Sequence, residues 1–309
     1  MEPRKVTIGS RGSPLALWQA NWIKGLLESH HSDLDVDIQI IKTSGDKIQD
    51  VPLAKIGGKG LFVKEIEEGL LKREVDFAVH SMKDMPIVFP VNLCIACVTK
   101  RENPFDALIS RNSLKLDDLP KGAKIGTGSL RRMSQLKYYR PDLELVPLRG
   151  NLETRLKKLD TEGLDAIILA AAGLIRMGWD DRITEIISPE ILLPAMGQGA
   201  VGIETRKNDV DNQILLADMD DEETHYALDA ERALVSQLEG GCNVPIGSFA
   251  TIKDDQITLT GLVASLDGKT MYKKELTDLK TNAIALGRKM GNKLIEMGAD
   301  RIMQEIQST

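Results

Sequence analysis

Aromatic side chains are scarce: five Phe, four Tyr and three Trp make up 4% of the 309 residues. So few rings argue against the base-stacking surfaces that grip nucleic acid. Cysteine is scarcer still, at three; an odd number builds no disulfide framework and suits a reducing compartment. No apolar run is long enough to span a membrane, and the opening Met1-Glu2-Pro3-Arg4-Lys5 lacks the apolar core of a signal peptide. A cytoplasmic protein with neither membrane nor nucleic-acid partner is expected. Also missing are a Walker A loop, a complete dinucleotide fingerprint and a cluster of metal ligands, so no metal is expected and a phosphate-ester enzyme is disfavoured.

What is present is a soluble, acidic composition of net charge −6 with one basic segment. Residues 121–176 hold eleven Lys and Arg against six Asp and Glu. A local excess of that kind inside an acidic chain fits a pocket for a small ligand bearing several negative charges, rather than attraction to a polyanion. Lys157-Lys158 is read as a solvated helix face.

The length predicts two or three domains. Up to about residue 98, strands and helices alternate: Val6-Thr7-Ile8, an amphipathic helix from Pro14 to about Glu28, Val36 to Ile41, a helix from Leu61 to Lys72, then Asp76 to His80 and Leu93 to Val98. From about Arg101 a second unit repeats the rhythm, with strands at Lys124-Ile125, Leu143 to Pro147 and Ala166 to Ala170, and helices at 130–139, 152–159 and 171–177. This is the pattern of a mainly parallel sheet covered by helices. The units echo each other, since Ile8-Gly9-Ser10 before a helix containing Gln19 parallels Ile125-Gly126-Thr127 before a helix containing Gln135. Beyond Pro194 to Ala200 come a helix to Leu238, strands at 246–252, 256–264 and 271–277, and a helix at about 282–297, which reads as a smaller α+β domain.

Gly9 to Pro14 and Gly126 to Ser129 are glycine turns at helix starts, where free N–H groups and the helix dipole favour anions. Ser13, Thr127 and Ser129 add hydroxyl donors, and Arg11, Arg131 and Arg132 can fork onto carboxylates. Arg149 ends a strand, Arg155 follows on the next helix, and Arg176 closes a third. Val79-His80-Ser81-Met82-Lys83-Asp84-Met85-Pro86 delivers a lysine and a carboxylate to a strand's C-terminal end, where α/β proteins bind ligands. Asp84 is the candidate for holding a cation or moving a proton; a turn or cap residue is the alternative. His80 reads as a packed core residue. Cys94-Ile95-Ala96-Cys97 lies inside an apolar strand and reads as core. Lys55 and Lys59, in a glycine-hinged stretch, suit a mobile lid or an ordinary solvent loop.

Cys242 sits in Glu239-Gly240-Gly241-Cys242-Asn243-Val244-Pro245, a tight glycine turn after a helix. Its thiol is a nucleophile, a covalent anchor or a small apolar residue. A two-lobed receptor that performs no chemistry is the rival to an enzyme, and it leaves that cysteine without a task.

Taken together, Gly9 to Ala16, Lys59-Gly60-Leu61-Phe62, His80 to Pro86, Gly128 to Arg132, Arg149 to Arg155, Pro194 to Gly199 and Gly241 to Pro245 closely resemble the porphobilinogen deaminase family. The resemblance implies two periplasmic-binding-protein-like α/β lobes with mixed, mainly parallel sheets and a smaller C-terminal α+β domain: residues 1–99 with 200–217, 100–199, and 218–309. It implies a monomer whose Cys242 carries a dipyrromethane cofactor through a thioether. Porphobilinogen is the implied substrate, polymerised with loss of ammonia in haem biosynthesis. It further implies that Arg11, Ser13, Ser81, Lys83, Thr127, Ser129, Arg131, Arg132, Arg149, Arg155 and Arg176 meet substrate and cofactor carboxylates, and that Asp84 is catalytic.

Overall fold

In the structure, a computed structural model, residues 3–47, 60, 62–239 and 244–307 are described. The chain forms two compact units, Met1–Glu102 with Ala200–His225, and Asn103–Gly199 with Tyr226–Thr309. Unit 1 contains β1 (Arg4–Ser10), α1 (Pro14–His30), β2 (Leu34–Ile40), the single turn α2 (Ser44–Lys47), α3 (Lys64–Leu71), β3 (Phe77–Ser81) and β4 (Leu93–Val98). Unit 2 begins with β5 (Asp106–Ser110), β6 (Lys124–Gly126), α4 (Leu130–Tyr139), β7 (Glu144–Val146), α5 (Leu152–Thr161), β8 (Ala166–Ala170), α6 (Ala171–Arg176) and β9 (Glu185–Ile186). The chain then returns to unit 1 as β10 (Val201–Arg206) and α7 (Val210–Leu216).

The strand order of unit 1 is β2-β1-β3-β10-β4, and that of unit 2 is β7-β6-β8-β5-β9. In each, three parallel strands are followed by one strand that runs against both its neighbours, β10 in unit 1 and β5 in unit 2. The two sheets therefore share one spatial arrangement of strands, with the antiparallel strand last along the chain in unit 1 and first in unit 2, and the echo read from the sequence is an echo of that arrangement. The central strands β3, β5 and β8 are buried on both faces, as strands covered by helices on both sides are. In unit 1, Ala20, Ile23 and Leu27 of α1 pack with Ile8, Phe77, Val79, Val201 and Ile203 on one face. Ile66 and Leu70 of α3 pack with Val75, Ala78 and Leu93 on the other. Each fully buried side chain of this size contributes about 1.5–3 kcal/mol.

The helix starts follow from side chains. Ser13, Ser129 and Asn151 each accept a hydrogen bond from a backbone N–H three residues on, capping α1, α4 and α5. Pro14 occupies the first turn of α1, where its missing N–H costs nothing.

The remainder of the chain comprises α8 (Glu222–Gln237), β11 (Ile246–Lys253), β12 (Gln256–Ala264), β13 (Met271–Leu279), α9 (Ala283–Met297) and α10 (Ala299–Gln307). The three strands form an antiparallel meander. The apolar stripe of α9, Leu286, Met290 and Leu294, is buried. Gly287 and Gly291 let α9 approach α8 closely: a Cβ on Gly287 would run into the Ala230 carbonyl and lie 2.6 Å from the Ala233 Cβ. Gly287→Ala is accordingly expected to cost about 1–3 kcal/mol by overpacking, read as a lower thermal midpoint; an unchanged midpoint would mean that the two helices separate freely.

Candidate active site

In unit 1 the residues singled out from the sequence gather at the C-terminal ends of the parallel strands β1 and β3. Arg11 follows β1 and stacks its guanidinium 4.1 Å from the centre of the Phe62 ring. Ser13 Oγ caps α1, accepting from the Ala16 N–H at 3.4 Å. Beyond β3, Ser81 accepts a hydrogen bond from Gln19 Nε2 of α1 at 3.0 Å. The turn Met82–Asp84 is a single 3-10 turn, with Met82 at 1% and Met85 at 2% exposure on either side of the outward residues. The two buried methionines anchor the segment, so Lys83 is only partly covered and Asp84 faces solvent. Behind them, His80 is buried as expected, with a partner that the sequence did not disclose: its Nε2 lies 3.0 Å from Glu204 Oε2.

In unit 2 the glycine turn after β6 places Thr127 and Ser129 at the start of α4. Thr127 Oγ1 accepts from the Ser129 N–H, and Ser129 Oγ from the Arg132 N–H, each at 3.4 Å. Gly128 is required by close approach, because a Cβ there would fall 2.6 Å from the Leu148 carbonyl. That approach sets the stretch carrying Arg149 beside the turn. Arg155 Nε donates to the Gly150 carbonyl at 2.8 Å.

Arg131 and Arg132 are only 5% exposed, and both converge on Asp106. Arg131 Nη1 donates to Asp106 Oδ2 at 2.8 Å and to the Leu193 carbonyl at 2.7 Å. Arg132 donates to Asp106 Oδ1 from Nε at 3.0 Å and from Nη2 at 2.7 Å, and to the Ile168 carbonyl at 2.9 Å. Gln198 Nε2 adds a contact to Asp106 Oδ1 at 2.9 Å. Burial works to raise the Asp106 carboxyl, but the two guanidinium charges outweigh it and hold it well below the usual carboxylate range. Burial also pushes the Arg131 guanidinium downward, opposed by the Asp106 charge. The arginines are thus prealigned inside the unit, and Arg131 Nε, itself buried, has no hydrogen-bond partner among the described residues.

The 193–199 segment is fastened from several sides. Arg176 Nη2 donates to the Gly199 carbonyl at 2.8 Å. The fully buried Glu231 of α8 accepts from the Gly197 N–H at 2.7 Å and the Ala250 N–H at 2.9 Å. Asp106, Gln198 and Glu231 were not singled out as site residues from the sequence. A signal for Asp106 was available: an acid heads the apolar run Ala107-Leu108-Ile109, and two adjacent arginines at a helix start require a counter-charge. Cys97 is buried, and burial, reinforced by Asp220, pushes its thiol upward, which agrees with core packing. Cys242, Lys55 and Lys59 lie outside the described residues.

Among the described residues no three His, Cys, Asp or Glu side chains are grouped to hold a metal, and no helix is long and apolar enough to cross a membrane. A solved structure of a probable amino-acid ABC transporter extracellular-binding protein from Bacillus subtilis aligns with 70% of this chain and 90% of its own, at TM-score 0.43 and 12% identity. Residues 6–214 match the family model for the porphobilinogen deaminase dipyrromethane cofactor binding domain, and residues 226–296 the model for the porphobilinogen deaminase C-terminal domain. The porphobilinogen deaminase of Desulforamulus reducens is 51% identical over 304 residues, 98% of each chain. That of Syntrophobacter fumaroxidans is 51% identical over 306 residues, 99% of each chain. With both models matched in order and half of all residues shared across nearly the whole length, the chain belongs to the porphobilinogen deaminase family.

Proposed function

We propose that this chain joins four porphobilinogen molecules head to tail on a dipyrromethane primer tethered to Cys242 through a thioether, and that water then releases hydroxymethylbilane. Head-to-tail polymerisation of porphobilinogen, with dipyrromethane as cofactor, follows from the family. The observation that carries the site reading is the buried Arg131–Arg132–Asp106 cluster, with two guanidiniums on one carboxylate and Arg131 Nε left unpartnered among the described residues. A buried surplus of positive charge with a spare donor fits a ligand made of carboxylates, and each pyrrole carries two. When bound, the dipyrromethane supplies the free pyrrole carbon at which growth starts.

Arg131 and Arg132, with Thr127, Ser129, Arg149, Arg155 and Arg176, take the ligand carboxylates in unit 2. Arg11, Ser13, Ser81 and Lys83 do the same in unit 1. Each condensation breaks the aminomethyl C–N bond of porphobilinogen and forms a C–C bond; the amine leaves as ammonia after taking up a proton, and the attacked pyrrole carbon gives up one proton, so that ammonia is the net product. The cation left on the substrate as ammonia departs is the charge that Asp84 offsets, and its carboxylate also moves a proton at pyrrole nitrogen or carbon. Lys55 and Lys59 are proposed to close over the ligand.

The same reading includes a cytoplasmic monomer of three domains, residues 1–99 with 200–217, 100–199 and 218–309. Three separate sheets and the break between the two family models support that partition. The test is the intact mass of freshly purified protein, with peptide mapping around Cys242. Added mass equal to two linked pyrroles on that peptide is expected, either at once or after incubation with porphobilinogen. A Cys242 peptide unmodified under both conditions would overturn the proposal.

A further inference from the structure

Two sheets with one spatial order of strands can be compared position by position. The pair Gly9↔Ala78 in unit 1 occupies the place of Gly126↔Ile167 in unit 2. On that register, Val201↔Ser81 of the antiparallel strand falls on Asp106↔Ala170. The N-caps Ser13 and Ser129 likewise align α1 with α4, setting Leu15 against Arg131, Ala16 against Arg132, and Gln19 against Gln135. All three charged members of the buried cluster therefore stand where unit 1 has Val, Leu and Ala. Unit 1 builds the same sheet without them, and Val201 is fully buried in its core.

Physical chemistry gives no stabilising reason for the exchange. A buried ion cluster is seldom better than packed apolar residues of similar size. Cations in the first turn of a helix face the unfavourable end of its dipole. Two guanidiniums against one carboxylate leave the cluster with one surplus positive charge, and its other partners, Gln198 Nε2, the Leu193 carbonyl and the Ile168 carbonyl, are neutral. Asp106 lies beside Ala170, at the C-terminal end of the parallel strands, which is the end where α/β sheets bind ligands.

We infer that Asp106 is a positioning residue: a buried counter-charge that keeps Arg131 and Arg132 aligned before ligand arrives and leaves the cluster with capacity for one ligand carboxylate. This rests on the proposed function, and it assigns a role to a residue that acts through Arg131 and Arg132, which take up both of its oxygens. Without Asp106 the guanidiniums repel each other, turn toward other carbonyls, and must be realigned at every binding event.

The test compares Asp106→Ala with the parent, both freed of cofactor, by the rate at which porphobilinogen adds pyrrole mass to the Cys242 peptide, measured well below the thermal midpoint of each. Loss of alignment is expected to slow loading about 10²-fold, the scale of a 1 Å misplacement. Formate, a small carboxylate able to enter the space left by the side chain, is expected to restore loading, whereas the neutral formamide is not. A folded Asp106→Ala variant that loads like the parent, or one rescued equally by both additives, overturns the inference. If that variant does not fold, the triple variant Asp106→Val/Arg131→Leu/Arg132→Ala, which installs the residues of unit 1, decides. It is expected to fold with a midpoint near the parent's and to gain no pyrrole mass. Failure of the triple variant to fold would make the charges a requirement of the fold, and normal loading would make them idle; either overturns the inference. A parent that gains no pyrrole mass sinks the functional reading itself, an outcome distinct from a parent that loads beside a variant that also loads.

Discussion

Asp84→Asn is expected to fold as the parent does and to turn over about 10²–10⁴-fold more slowly, the range of a positioned acid–base group. Folding is spared because Asp84 faces solvent at the end of a 3-10 turn, and its side chain makes no hydrogen bond or ion pair among the described residues. The turn is held instead by its apolar neighbours Met82 and Met85, which the substitution leaves in place. Asparagine keeps the shape and removes the charge, so the loss should fall on kcat, where the substrate cation develops, more than on KM. Steady-state kinetics beside a thermal melt make the measurement. Near-normal kcat in the variant would remove Asp84 from the mechanism; a collapsed melting curve would instead place it in the fold.

Arg132→Leu is expected to destabilise the protein by about 3–5 kcal/mol at neutral pH, the usual cost of taking one partner from a buried ion pair. The change deletes two donors to Asp106 and one to the Ile168 carbonyl. It leaves Asp106 fully buried with Arg131 and Gln198. The penalty has a predictable pH dependence. Asp106 in the folded parent is held below the ordinary carboxylate range, so it stabilises the fold above the unfolded value, near 3.9, and loses that contribution as pH falls toward the folded value. The variant, with one guanidinium gone, holds the carboxyl less far down and has less to lose. Its deficit against the parent should therefore shrink as pH is lowered from 7 to below about 4. Denaturant midpoints at the two pH values test this, and a deficit that is equal at both, or absent at neutral pH, would contradict the ionic account of the cluster.

Much of the fold was legible because its signals are local. The apolar runs at 6–8, 77–80 and 166–170 and the glycine turns Gly9 to Pro14 and Gly126 to Ser129 each act over a few residues, and the strands and helices appear where those signals place them. The antiparallel strands were harder. Val201–Arg206 contains a buried Glu204 and Arg206, and Asp106–Ser110 opens with a buried acid, so neither reads as a clean apolar strand. Their partners, β3 and β8, lie far off in sequence, and periodicity says nothing about pairing at that distance. The short α7 and the terminal α10 were likewise unread. Among the site residues, types and positions were visible as motifs, but burial was not. Arg131 and Arg132 read as forks at a helix start, and only the fold reveals that Asp106 already occupies part of each.

The placement of β10 has a consequence for how the chain is made. Synthesis runs from the N-terminus, and every strand of the unit 2 sheet lies between Asp106 and Ile186. That sheet has all its strands as soon as β9 emerges from the ribosome. Unit 1 is different: β4 pairs with β10, and β10 fills the place between β3 and β4. The half that begins first is therefore the half whose sheet finishes later. Until Val201–Arg206 emerges, β3 presents an open apolar edge and β4 has no partner in the sheet, a state prone to pairing with other chains. A ribosome stalled within unit 2 would leave unit 1 in that condition, and residues 1–102 expressed alone could not close their own sheet.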